Sequence, residues 1–295
     1  MSTERTARPF GRALCAMVTP FDAAGGLDLD AARKLAAHLV AEGCDGLVLN
    51  GTTGESPTTT DAEKAALIRA VREAVGPGPK VLAGVGTPDT LHSVELARQA
   101  EEAGADGLLL VSPYYSRPPQ AAVEAHFLRV ADATGLPVML YDIPGRTGTR
   151  IEPETLIRLA AHPRIVAVKD CAYDMLGSTK VMARTSLAYY SGCEELNLPL
   201  YAVGGSGYVS TVANVAPRAM RAILDGFDAG DTAEAARLNA LTAPLVELAM
   251  ASGLPGTVTM KALLGLPVRE PLQPADRDAV DGLRAAYEEL VQAYR

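Results

Sequence analysis

Lys169 closes a run of apolar residues, Ile165-Val166-Ala167-Val168-Lys169-Asp170. A cation at the end of such a run is costly to bury unless it is paired or made neutral. Two readings follow from the residues. In one, Lys169 forms an ion pair with Asp170 or with a glutamate. In the other it is a nucleophile for a carbonyl carbon. An ordinary lysine is neutral in roughly one molecule in 2500 at pH 7, so that chemistry needs a dry environment to lower the pKa. The lysine alone does not choose between them.

The ends of other apolar runs carry further candidates. Asn50-Gly51-Thr52-Thr53-Gly54-Glu55-Ser56-Pro57 sets two hydroxyls between glycines. Glycine permits a tight backbone whose N–H groups can converge on a small carboxylate. The plainer reading is a helix start capped by Ser56, Thr58 or Thr60. Tyr114 and Tyr115 follow Val111-Ser112-Pro113, and Tyr141 stands in Leu140-Tyr141-Asp142-Ile143-Pro144-Gly145-Arg146-Thr147-Gly148. A tyrosine at such an end either passes protons or packs with its hydroxyl satisfied. Arg146 lies in a Pro/Gly-rich turn, where a guanidinium can fork onto a carboxylate or stay solvated.

Residues so far apart in sequence need a scaffold that gathers them. Apolar runs at 13–19, 46–50, 80–84, 107–111, 138–141, 165–169, 187–191 and 207–211 read as buried strands, most of them rich in Val, Ile or Leu. Helical patterns fill 29–41, 61–75, 90–103, 121–133, 153–161, 177–183, 196–202 and 217–229. Eight strands, each followed by a helix, predict an α/β fold, a (β/α)8 TIM barrel with its site at the carboxyl ends of the strands. An open doubly wound sheet is the alternative, but Thr19-Pro20 stands where its Gly-rich fingerprint belongs. Residues 1–230 are expected to form the barrel. Residues 231–295 are expected to form a C-terminal helical extension, with helices at 231–251, 258–264 and 276–294.

Composition agrees. The 295 residues suit one barrel of roughly 250 plus an appended segment. With 48% hydrophobic and 21% charged residues the chain can bury a large core. A net charge of −8 without a Lys/Arg run offers no footprint for nucleic acid. No apolar stretch approaches the ~20 residues of a membrane span, and residues 1–20 lack the apolar core and cleavage site of a signal peptide. A cytoplasmic location is expected. Cys15, Cys44, Cys171 and Cys193 are widely spaced and read as reduced thiols. None of the four histidines pairs with a cysteine at ligand spacing, so no metal site is expected.

Five motifs occur in order: GTTGESPT, SPYYSRPP, LYDIPGRTG, VAVKD and GGSGYVSTVANVAP. Together they closely resemble the dihydrodipicolinate synthase / N-acetylneuraminate lyase family of class I pyruvate aldolases, from about Gly11 to Pro217. The resemblance implies that Lys169 is the Schiff-base lysine and Tyr141 the general acid/base. It implies that Thr52 links Tyr141 to Tyr115, which in the family reaches into a neighbouring subunit's site, so that a homodimer or homotetramer is expected. Thr53 is expected to bind the pyruvate carboxylate, with Gly192 in the substrate site and Val209 lining the pyruvate pocket. Arg146, in the P-x-R-T-G turn that synthases carry, points to aspartate 4-semialdehyde as the aldehyde partner. No metal or organic cofactor is implied.

Some positions depart from the synthase pattern. Tyr173 stands where a glycine is usual, and Ser191-Gly192-Cys193-Glu194 replaces S-G-D-D. The lysine-inhibition positions hold Asp61, Lys64, Pro88 and His92, so strong inhibition by lysine is not expected. Two rival functions remain at this stage. One is a lyase or dehydratase acting on a sugar acid, 4-hydroxy-2-oxoglutarate or an N-acetylneuraminate-type substrate. The other is a non-catalytic 2-oxo-acid-binding protein, although binding alone has no use for a proton relay.

Overall fold

The computed structural model describes residues 8–250 and 252–294; the signal-peptide reading of residues 1–7 lies outside them. Eight strands, β1 (Ala13–Ala16), β2 (Gly46–Leu49), β3 (Lys80–Gly84), β4 (Gly107–Val111), β5 (Val138–Asp142), β6 (Ile165–Asp170), β7 (Ala188–Ser191) and β8 (Gly207–Ser210), close into a barrel in sequence order. Every neighbouring pair is parallel, and β1 pairs with β8 to complete the ring. The helices are α1 (Leu29–Ala41), α2 (Asp61–Val75), α3 (Thr90–Glu102), α4 (Gln120–Ala131), α5 (Pro144–Thr147), α6 (Pro153–Leu159), α7 (Met175–Arg184), α8 (Asn197–Ala202), α9 (Pro217–Asp228), α10 (Thr232–Met250), α11 (Gly256–Leu264) and α12 (Arg277–Tyr294).

Parallel strands covered on both faces read as continuous apolar runs, and here the two faces split cleanly. Leu47, Leu49, Val81, Leu108, Leu140 and Val168 point outward and pack under the helices. Leu14, Val48, Leu82, Leu109, Met139, Ala167, Tyr190 and Val209 fill the interior. Because side chains alternate along a strand, Lys169 shares the inward face with Ala167 and stands at the carboxyl end.

Differences from the expected bounds have local causes. β1 ends at Ala16 rather than at residue 19 because the Val18 N–H is taken by Asn214 Oδ1 at 3.0 Å. Thr60 caps α2 through a reciprocal capping box with Glu63, while Ser56–Thr58 forms only a 3-10 turn. The four-residue helix α5, too short for a periodicity to register, was not expected. α10 packs along α9 and also contacts α11 and α12. Leu245, Met260 and Leu283 of these helices share a core with Tyr208 and Met220.

Candidate active site

The carboxyl ends of the strands surround a cavity of about 900 Å³. Lys169, Tyr141, Thr52, Thr53, Arg146 and Gly192 all line it. Lys169 and Tyr141 face each other across β5 and β6 in register, each only 5% exposed. The Lys169 Nζ sits 4.4 Å from the centroid of the Tyr141 ring. No ion pair of Lys169 is found among the described residues. Asp170, on the other face of β6, instead accepts from the Ala172 N–H at 2.7 Å and from the Ser178 hydroxyl. Of the two readings of this lysine, the Lys169–Asp170 pair is therefore not formed.

Burial sets the electrostatics. Desolvation holds the Lys169 amine below its ordinary pKa, and the Arg146 charge pushes in the same direction. Desolvation also raises the Tyr141 phenol well above its usual value, so it enters the site as a proton donor.

Thr53 is buried, and its Oγ1 lies 3.1 Å from Thr211 Oγ1. Thr52 is exposed at the mouth, with its carbonyl accepting from Thr257 Oγ1 at 3.4 Å. Arg146 reaches the cavity from α5. Val209 is buried among the interior residues below. Tyr115 is not brought in: it is 93% exposed, with a left-handed backbone at φ 72°. Thr52 and Tyr141 share the cavity wall, and no hydrogen bond joins them among the described residues.

Several participants escaped the sequence reading. Glu194 is buried and accepts from the Thr211 N–H at 2.6 Å, the Val212 N–H at 3.0 Å, Ser210 Oγ at 2.8 Å and Asn197 Nδ2 at 3.0 Å. It thereby fixes Thr211, the partner of Thr53. Its signal in the sequence is the acid retained after Gly192-Cys193, a segment noted above only as a departure from S-G-D-D. The GTTGES loop is braced from the extension. Glu55, left-handed at φ 54°, forms a buried ion pair with Lys261 of α11 and accepts from the Arg269 N–H at 2.8 Å. Asn239 and Glu247 of α10 complete the cavity wall.

Such a site can form an imine and move protons beside it, with a cationic fork at the rim for a second anion. The comparisons with known proteins agree. A model of the dihydrodipicolinate synthetase family matches residues 9–290. The chain is 70% identical to 4-hydroxy-tetrahydrodipicolinate synthase 1 of Streptomyces coelicolor, over 98% of this chain and 97% of that one. It is 56% identical to 4-hydroxy-tetrahydrodipicolinate synthase of Kineococcus radiotolerans, over 94% and 92%. DHDPS from Cyanidioschyzon merolae, solved with lysine bound, superposes with a TM-score of 0.93 at 37% identity, over 97% of this chain and 99% of that one. The chloride-inhibited dihydrodipicolinate synthase of Acinetobacter baumannii, complexed with pyruvate, superposes at 0.90 with 31% identity, over 96% and 99%. The chain belongs to the dihydrodipicolinate synthetase family.

Proposed function

We propose that the chain is an enzyme that condenses pyruvate with aspartate 4-semialdehyde to 4-hydroxy-tetrahydrodipicolinate, the carbon–carbon bond-forming step toward diaminopimelate and lysine. The observation that carries the reading is a buried lysine amine with no carboxylate partner among the described residues, held against a protonated tyrosine in a cavity that also holds Thr53 and Arg146.

The neutral Lys169 Nζ attacks the ketone carbon of pyruvate, and water leaves to give an imine. The imine withdraws electrons, so a methyl proton departs and an enamine forms. The enamine carbon adds to the aldehyde, Tyr141 protonating the developing alkoxide. The amine of the second substrate then attacks the imine carbon, closes the ring and expels Lys169. Thr53 and neighbouring N–H groups take the pyruvate carboxylate, and Arg146 takes the carboxylate of the aldehyde by a two-point contact. Holding both reactants in line removes much of the entropic barrier.

The exposed Tyr115 supports self-association, since a tyrosine almost wholly in water in one chain is available to the site of another. A homodimer or homotetramer acting in the cytoplasm fits, and no helix among the described residues is long and apolar enough to cross a membrane.

Incubation with pyruvate and borohydride, followed by peptide mapping, is the test. An adduct on Lys169 is expected, and an unmodified Lys169 overturns the reading. With the adduct in hand, Arg146→Ala should weaken the semialdehyde far more than pyruvate. A variant equally active on its best aldehyde would move the assignment to a lyase or dehydratase of the same family.

A further inference from the structure

Two cysteines stand in the cavity wall beside the reacting lysine. Cys171 follows β6 and Cys193 follows β7, and both line the cavity while being nearly buried at 6% and 7% exposure. Their backbones run side by side, with Asp170 in register with Ser191 and the Gly192 N–H donating to the Asp170 carbonyl at 2.9 Å. Cys171 thus stands opposite Gly192, with Cys193 the next residue on, a diagonal neighbour across strands about 4.8 Å apart; a disulfide spans Cα separations of roughly 4.4–6.8 Å. The Cys171 sulfur and the stem of Lys169 together fill the space beside Gly192 where a Cβ would stand.

The two thiols already interact. Cys171 and Cys193 stand near enough to shift one another's ionisation, Cys171 likewise neighbours Tyr141, and Cys193 neighbours Tyr173, whose hydroxyl donates to Glu195 Oε1 at 2.7 Å. A chain of side chains thus runs from the catalytic phenol through both sulfurs to the rim.

We infer that Cys171 and Cys193 form an oxidisable thiol pair which a peroxide converts to a disulfide, closing down imine chemistry at Lys169 until the bond is reduced. The neighbouring Cys171 holds the Cys193 thiol below its ordinary pKa, which makes Cys193 the attacking thiolate. Its sulfur attacks one oxygen of hydrogen peroxide, the O–O bond breaks, and the departing hydroxide takes up the proton that the thiol released on ionising and leaves as water. Cys193 is then a sulfenic acid. The Cys171 sulfur attacks it, the S–S bond forms as the S–O bond breaks, and the Cys171 proton leaves with the hydroxyl as a second water. Two electrons pass from the thiols to the peroxide.

Loss of activity follows from the contacts. A covalent S–S bond draws the sulfurs closer than non-bonded contact allows. Cys171 must then move within the wall that it shares with the Lys169 stem beside Gly192. The effect on activity rests on the function proposed above, whereas the disulfide itself does not.

The test is peroxide treatment of the intact protein, alkylation of the remaining thiols, and peptide mapping without reductant. A crosslink between the peptides bearing Cys171 and Cys193 is expected. The rate of pyruvate-dependent borohydride trapping should fall by roughly tenfold or more and return with dithiothreitol. Cys171→Ala and Cys193→Ala, each measured against its own untreated rate, should lose the response. A crosslink confined to the buried pair Cys15 and Cys44 overturns the proposal. So does sulfinic acid at Cys193 without a crosslink, or a mapped Cys171–Cys193 disulfide with full trapping activity. Absence of trapping in the reduced protein would refute the aldolase reading while leaving the crosslink to be judged by mapping alone.

Discussion

Gly192→Ala isolates the positioning of the amine. A Cβ on residue 192 would stand 2.7 Å from Lys169 Cε and 2.9 Å from its Cγ, and closer still to the Cys171 sulfur. Ordinary contact begins at 3.4 Å, so the lysine stem has to retreat by about 0.7 Å in a tightly packed wall. Displacements near 1 Å cost on the order of a hundredfold when reacting atoms must approach within about 3.5 Å. The expected fall in kcat/KM, and equally in the rate of borohydride trapping with pyruvate, is therefore between roughly tenfold and a hundredfold. Overpacking should cost only ~1–3 kcal/mol of stability, so the kinetics can be read well below the melting temperature. Gly282→Ala is the matched control. It makes the same chemical change in the middle of α12, where an added Cβ meets nothing within 4 Å. It should stabilise by up to ~1 kcal/mol and leave catalysis alone. If Gly192→Ala traps pyruvate within twofold of the parent, Lys169 is not confined as described and the reasoning fails.

Other consequences are equally open to measurement. Glu194→Gln puts an amide where four donors converge, leaving at least one unpaired. The loosened Thr211–Thr53 contact should raise KM for pyruvate more than it lowers kcat, and a pure kcat loss would argue against this route. Burial raises the Asp142 carboxyl to about 7, against the pull of the Ile151 N–H. Its contribution to stability is therefore present below its unfolded pKa near ~3.9 and lost as pH rises through about 7. Asp142→Asn keeps that acceptor, so its melting-temperature advantage should grow from pH ~5 to pH ~9; a constant difference contradicts the assignment. Desolvation lowers buried His126 to about 4. Roughly 3 kcal/mol of stability is present above pH ~6.5 and is lost as pH falls through about 4. His126→Gln should shift acid unfolding, followed by circular dichroism, to lower pH. Lysine should leave the rate unchanged at low millimolar concentration, because His92 Nε2 is bonded to Asp61 Oδ2 at 2.9 Å and Lys64 adds a cation nearby. Substantial inhibition would refute this.

The barrel was legible because its signal is local and repeated. The apolar runs of β3 and β4 match the expected bounds at both ends, as do the amphipathic patterns of α1 and α2. Lys169 and Tyr141 were legible because each ends such a run, and closing the barrel in strand order puts neighbouring ends together. What stayed hidden is what depends on long-range contact. Nothing near Glu194 announces that the last residue of β8 and the two after it will converge on it from 16 to 18 positions away. Nor does any spacing tie Cys171 to Cys193, or Glu55 to Lys261. Tyr115 is a different case: this chain leaves it in solvent, so its role cannot be read from the contacts of one chain.

The salt link between Glu55 and Lys261 ties the fate of the barrel to its tail. Cutting the chain after residue 230 would remove the only cation paired with Glu55 among the described residues, together with the Arg269 N–H that it accepts. An acid left alone in the interior costs ~3–5 kcal/mol, and it would do so in the loop that presents Thr52 and Thr53. Transplanting a foreign tail faces the same obstacle unless it delivers a cation to the same spot. These two stretches, more than 200 positions apart, are therefore one mechanical unit in the folded chain.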